Sequence, residues 1–327
     1  MSTHTDLLKS IAKTIVDYRE GEIASPTSDH VDTWVKQFDK GAQTPLLSEL
    51  DHVLKRTYIS RSDCRKFLSS LIQKKDFASD DPCKFWKTVG FLNIQGAGNS
   101  QREMLAMFDD ILQEQCKLKI SHCGEKPAAF LYLDDGIFSG YHVLNDLKKW
   151  IQTDAPEKAN VRVVVMALHC GGEFNAMKGI EKAAASAGKQ IEVTWWRCLT
   201  IENRKAFANT SDVFWPTSLP NDNDTQAYVR SLKYPPVLRK PGSIGDKKFF
   251  SSDEGRSLLE QEFLQAGVRI RNKCPYLNVY QRPLGNMVLD TLGFGTPIVT
   301  YRNCANNCPL AFWVGDPWYP LFPRKIN

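Results

Sequence analysis

Apolar positions recur at helical spacing over the first part of the chain. Leu7, Leu8, Ile11, Ile15 and Val16 share one face of a segment from 5 to 20, and a second such pattern runs from His30 to Phe38, behind the break SPTSD. Past Pro45 the run LLSELDHVLKRTYISRSDCRKFLSSLI keeps that spacing, with Ser62 placed to cap a helix that carries Phe67, Leu68, Leu71 and Ile72. Residues 1–85 are therefore expected to form a helical N-terminal region.

The pattern then changes. FWKTVGFLNIQ is rich in aromatic and branched residues, ends in GAGNS and gives way to the helical periodicity of QREMLAMFDDILQEQ. The order strand, glycine-bearing loop, helix returns in AAFLYLDD, GIFSG, YHVLNDLKKWIQ and again in VRVVVMALH, CGG, EFNAMKGIEKAAASAG, with IEVTWW as a closing strand. Such alternation predicts an α/β fold: a parallel sheet with helices on both faces, occupying 86–220. Beyond it, 221–327 is rich in Pro, Asn, Asp and Gly. One helix is expected from Asp253 to Ala266 and a strand at IVTY, in an irregular extension packing on the core as a hood or lid.

Composition narrows the class. An apolar content of 42% in 327 residues is enough for a sizeable core. The net charge of +5 is spread along the chain, so no basic stripe supports nucleic-acid binding. The N-terminus lacks the features of a secretory signal, and no apolar run reaches the roughly 18 to 20 residues that span a bilayer. Nine scattered cysteines suit a reducing compartment, so the expectation is a cytoplasmic protein with free thiols and no membrane contact.

The candidate chemistry lies where the second strand ends. Ligands of parallel sheets gather at the carboxyl ends of the strands. There, Asp134 and Asp135 are placed to take ribose hydroxyls, directly or through Mg2+ that also touches a diphosphate. Gly136 permits a sharp turn, and Ser139 and Gly140 offer a hydroxyl and open amides at the start of a helix at Tyr141, whose dipole favours a phosphate. An acidic pair that merely ends a strand and caps a helix is the plainer alternative. One strand earlier, Gln95, Gly96, Gly98, Asn99, Ser100 and Gln101 form a loop suited to a second anion, although such loops are also ordinary strand-to-helix turns.

This arrangement resembles the phosphoribosyl pyrophosphate signature of type I phosphoribosyltransferases: apolar strand, two acids, three variable positions, then Thr or Ser, Gly and a further hydroxyl residue. Asp134, Asp135, Ser139 and Gly140 match it, while His142 stands in place of the last hydroxyl. The resemblance implies that Ser139 to His142, Tyr141 included, grip a 5-phosphate, and that Gln95 to Gln101 receive pyrophosphate. More widely, VDTWVKQF, GAGNSQ, YLDDGIFSG, RNCANNCPLAFW and WYPLFPR make the chain similar to the phosphoribosyltransferase-like effectors of bacterial conflict systems. That likeness implies a glycosyltransferase-type effector acting at the ribose anomeric carbon in antiphage defence, with a protein partner from the same system. A nucleotide sensor that keeps the pocket without the chemistry is the other reading.

Other residues carry weaker signals. Cys304, Cys308 and Cys274 have no matched second pair for zinc and read as buried thiols. Asn303, Asn306 and Asn307 suit turns, Trp313, Trp318, Phe322 and Arg324 a packed tail, Trp195 and Trp196 a strand, and Arg102 and Lys87 solvated charge. His169 ends the strand after the signature, directly before CGGE, and is a candidate for contact with a ligand at the sheet edge.

Overall fold

The computed structural model describes residues 2–96 and 98–324. Ala97, inside the glycine-bearing loop, lies outside the described residues. Along the chain, α1 (His4–Thr14), α2 (Ser28–Val35) and α3 (Gln43–Thr57) lead into the two-residue strand β1 (Tyr58–Ile59). Thr3 and Asp6 form a reciprocal capping box at α1, and Thr27 caps α2. Next come α4 (Arg61–Ile72), α5 (Lys75–Ala78), α6 (Pro82–Lys87), β2 (Val89–Phe91) and α7 (Ser100–Cys116). Three strands and two helices follow: β3 (Ala129–Ile137), α8 (Tyr141–Thr153), β4 (Lys158–His169), α9 (Cys170–Ser186) and β5 (Gln190–Ile201). The remainder holds α10 (Asn223–Ser231), α11 (Asp253–Lys273), the short strands β6 (Gln281–Arg282), β7 (Gly285–Asn286), β8 (Val299–Thr300) and β9 (Asn303–Cys304), and α12 (Leu310–Trp313).

Two compact units result. One is the continuous stretch Arg61–Ile201; the other joins the residues up to Ser60 with those from Glu202 onward. These limits differ from the boundaries at 85 and 220 expected from composition. Helices α4 to α6 belong with the sheet because Phe77 meets Trp196 edge-on and Trp86 stacks on Phe91. Arg65 of α4 also pairs with Glu114 of α7.

The first unit is built on a sheet in the order β2-β3-β4-β5, every pair parallel. Side chains alternate between its faces. Tyr132, Val161, Val163, Val165 and Trp195 form one core with Val143, Leu147, Trp150 and Ile151 of α8 and Ala176, Ile180 and Ala183 of α9. On the opposite face, Phe91 packs on Phe108 of α7, and the Arg162 guanidinium lies over the rings of Phe77 and Phe85. The sheet thus has helices on both faces, because β3 and β4 are apolar on both sides and need cover on each.

In the other unit, β1 pairs in parallel with β8, which pairs antiparallel with β9. A buried ionic cluster holds the irregular stretch after Glu202 onto α11. Glu260 accepts from the amide of Trp215 and from Arg256, and ion-pairs with Arg239, while Arg256 also donates to the carbonyl of Val213. Glu49 of α3 accepts from the amide of Ser251, at the entry to α11.

Three sequence expectations need correction. Helix α4 begins at Arg61, so Ser62 lies inside its first turn instead of capping it. FWKTVGF is split: Phe85 to Lys87 complete α6 and only Val89–Phe91 is strand. Cys83 and Cys116 form a disulfide joining α6 to α7, so seven of the nine cysteines are free, not all.

Candidate functional site

Strand β3 delivers the signature to the carboxyl edge of the sheet. It runs on through Asp134, Asp135 and Gly136 to Ile137, with Gly136 opposite Ala167 and Ile137 opposite Leu168. The sharp turn expected at Gly136 therefore falls later, over Phe138–Gly140. Gly136 serves another purpose: a Cβ there would stand 3.1 Å from the Phe138 ring, which itself meets the His169 ring edge-on at 5.1 Å. As successive strand residues, Asp134 and Asp135 leave the backbone on opposite faces. Asp134 is 5% exposed and its carboxylate accepts the amide of Asp135 at 2.8 Å.

Gly140 adopts φ +79°, and a Cβ on it would lie 2.1 Å from the carbonyl oxygen of Gly172. A Cβ on Gly172 would in turn lie 2.3 Å from the oxygen of Phe138. The loop after β3 thus touches the first turn of α9 backbone to backbone, which fixes how α8 begins. Helix α8 has no side-chain N-cap and no acidic residue in its first turn. The Ser139 hydroxyl accepts the Tyr141 amide at 3.3 Å, and Ser139, Tyr141 and His142 are exposed. Apart from that one amide, the helix start has no side-chain cap, and beside the exposed phenol and imidazole it presents positive potential and donors to an anion.

The loop before α7 is knit together internally. The Gln101 side chain is fully buried, and its oxygen accepts the amides of Ile94 at 2.6 Å and Gln95 at 2.9 Å. Gln95 accepts the Gln101 amide and donates to Ser100, and Asn99 donates to Glu103. Gly98 takes φ +91°, while the Gly96 amide donates to Asp146 of α8 at 3.1 Å. The other Asp146 oxygen accepts the Tyr132 hydroxyl at 2.9 Å. Burial, and then the surrounding carboxylates Asp134, Asp146 and Asp135, drive the phenol pKa far upward, so Tyr132 remains a donor.

Sequence reasoning missed Asp146 and Gly172. The signal for Asp146 was available: it sits with Val143, Leu147, Trp150 and Ile151 on the inward face of α8, where a charge demands partners. His169 is completely buried with neither ring nitrogen hydrogen-bonded, and burial pushes its pKa down to about 3. It faces Phe138 as a neutral ring.

The other candidates lie away from the acidic pair in sequence. Cys274, Cys304 and Cys308 are buried, and among the described residues no group of three or more His, Cys, Asp or Glu could hold a metal ion. Asn303 lies in β9. Trp313 carries the Arg324 guanidinium over its ring, and Phe322 packs edge-on against Tyr18 and Phe312. Arg102 and Lys87 are exposed.

A parallel sheet whose second strand feeds an acidic pair and a Ser-Gly helix start defines a phosphoribosyltransferase-like α/β protein. The PRTase-CE family model matches residues 31–324, and the chain belongs to that family. No match was found among curated proteins or solved structures. No helix of the described residues is long and apolar enough to cross a membrane.

Proposed function

We propose that the carboxyl edge of the sheet binds a phosphoribosyl compound, a phosphoribosyl pyrophosphate or a nucleotide, and acts at its anomeric carbon in a cytoplasmic effector of antiphage defence. The observation that carries this reading is the start of α8, where, among the described residues, Ser139 bonds only the Tyr141 amide and Ser139, Tyr141 and His142 are exposed. There the first-turn amides and the Ser139 hydroxyl hold the 5-phosphate, and His142 supplies an imidazole donor where the usual signature has a hydroxyl. Asp134 and Asp135 orient the ribose hydroxyls and balance positive charge that develops at the anomeric carbon as its bond to the leaving group lengthens. A magnesium ion fits this donor set only if water and ligand oxygens complete its shell, because protein carboxylates converge on it in too small a number. It would neutralise a diphosphate leaving group. The defence role rests on the family likeness, as does a partner protein from the same system.

The test is turnover of phosphoribosyl pyrophosphate or nucleotides by the purified chain, compared with the double variant Asp134→Asn, Asp135→Asn. Product from the native chain alone supports the assignment; equal rates from both remove it.

One observation favours a second reading, a nucleotide sensor without chemistry. The loop expected to receive pyrophosphate commits the Gly96 amide to Asp146 and the Gln95, Ser100 and Gln101 side chains to one another. Calorimetry separates the two: nucleotide binding with no product after long incubation favours the sensor.

A further inference from the structure

In the unit formed by the two ends of the chain, the last turn of α11, Gln37, Pro317 and Trp318 line an open pocket of about 330 Å3. Sites for small ligands span about 300–1,000 Å3. Arg269 and Lys273 line one side, two positive charges with no carboxylate among the lining residues, and Trp318 and Pro317 line another.

Three features mark this cavity as built for an anion. Among the described residues neither Arg269 nor Lys273 takes part in an ion pair. Arg269 Nη2 is buried with no acceptor, whereas buried donors in folded proteins nearly always have one. Glu262, two turns earlier on α11, feels the Arg269 charge without bonding to it, and burial raises its carboxyl pKa, which weakens it as a counter-charge.

The walls are fixed in advance. The Gln37 side chain donates to the carbonyls of Trp34 at 3.1 Å and Tyr319 at 2.8 Å and accepts the Tyr319 amide at 2.8 Å. The Tyr276 hydroxyl donates to the Gly315 carbonyl at 2.7 Å. The Trp318 indole donates to Ala311 at 3.0 Å and meets the Phe38 ring edge-on at 5.5 Å, so its plane is set. A guanidinium fork, an ammonium and a held indole recognise a charged group and a flat ring together. Lysine and arginine near a helix C-terminus also complement the helix dipole, but that effect needs neither a cavity nor a buried guanidinium nitrogen.

We propose that this cavity is a second ligand site, taking a small anion that carries a flat ring, with the size and chemistry of a nucleoside monophosphate. It uses no residue of the sheet edge and does not depend on the function proposed there.

Hydrogen exchange of the full chain with and without millimolar AMP tests it. The expected result is slowed exchange across 268–276 and 315–319, retained in Asp134→Asn, Asp135→Asn and lost in Arg269→Gln, Lys273→Gln. Titration should show AMP binding to this site weakened by about tenfold or more in the charge variant, as expected for loss of charge-assisted hydrogen bonds. Adenosine and inorganic phosphate should each protect these segments less than AMP does. The exposed single variant Lys273→Gln should weaken binding in the same direction, which guards against misfolding of the double variant. Protection confined to 93–101 and 138–144, or none at all, overturns the proposal. So does protection of 268–276 that survives in both charge variants.

Discussion

The Tyr132 hydroxyl donates to Asp146 at 2.9 Å, joining the central strand to the helix that follows it. Because the same carboxylate holds the Gly96 amide, one side chain ties the loop before α7 to both β3 and α8.

Asp146→Asn keeps the shape of the side chain but turns one acceptor into a donor facing a donor. It should destabilise the protein by about 1–3 kcal/mol in urea unfolding and speed amide exchange at Gly96. Tyr132→Phe should cost about 1 kcal/mol, and the double variant should cost less than the sum. Strict additivity would show that the two side chains do not act as a pair.

Gly140→Ala meets two obstacles at once, a positive φ and the Gly172 carbonyl at 2.1 Å. The loop must move, so a loss of about 3 kcal/mol or more is expected, with binding of phosphorylated ligands at α8 weakened as well. Gly172→Ala, from the other side of the same contact, should act alike. A thermal melt and a phosphate titration on each variant check this.

His169 makes stability depend on pH. Its unfolded pKa is near 6.5, and its folded value falls to about 3. Between these values the unfolded chain binds the extra proton, so stability is highest above pH 6.5 and declines as pH falls toward 3. At pH 5 the loss from this one residue is about 2 kcal/mol. His169→Leu should flatten that part of the curve, read from urea midpoints at pH 7 and pH 5. An unchanged slope would mean that the imidazole is solvated or bonded in solution.

Glu260→Gln leaves Arg239 and Arg256 buried without their shared counter-charge. Removing one member of a buried ionic cluster typically costs about 3–5 kcal/mol. The variant should lose native tryptophan fluorescence at lower urea, since Trp215 is tied to the same carboxylate.

Legibility in the sequence followed the range of the forces involved. β3, β4 and α8 were visible because a strand buried on both sides and an amphipathic helix each write their period into neighbouring residues. β5 extends to Ile201, beyond IEVTWW, and α11 extends to Lys273, beyond Ala266, since tertiary packing carries each past its local signal. IVTY contains β8, but its partner Tyr58–Ile59 could not be guessed, as two-residue pairings between distant segments leave no local pattern. Helix α10, with Asp222 as its cap, was hidden in a stretch poor in apolar residues. At the sheet edge, Ser139 and Gly140 announced themselves through residue type and order. The Gly96–Asp146 bridge, the Gly140–Gly172 contact and the links of Glu260 to Arg239 and Trp215 join residues on different elements and needed the fold to be seen.

The division of the chain also orders its synthesis. Arg61–Ile201 leaves the ribosome as one uninterrupted stretch and has all its sheet partners within it. Helices α1 to α3 are made earlier, yet β1 has no strand to join until Val299 and Thr300 emerge. Helix α1 can pack at once on α2 and α3, but the side of α3 that meets α11 stays uncovered until Asp253–Lys273 is made, which leaves that surface open to aggregation or to chaperone capture through much of translation.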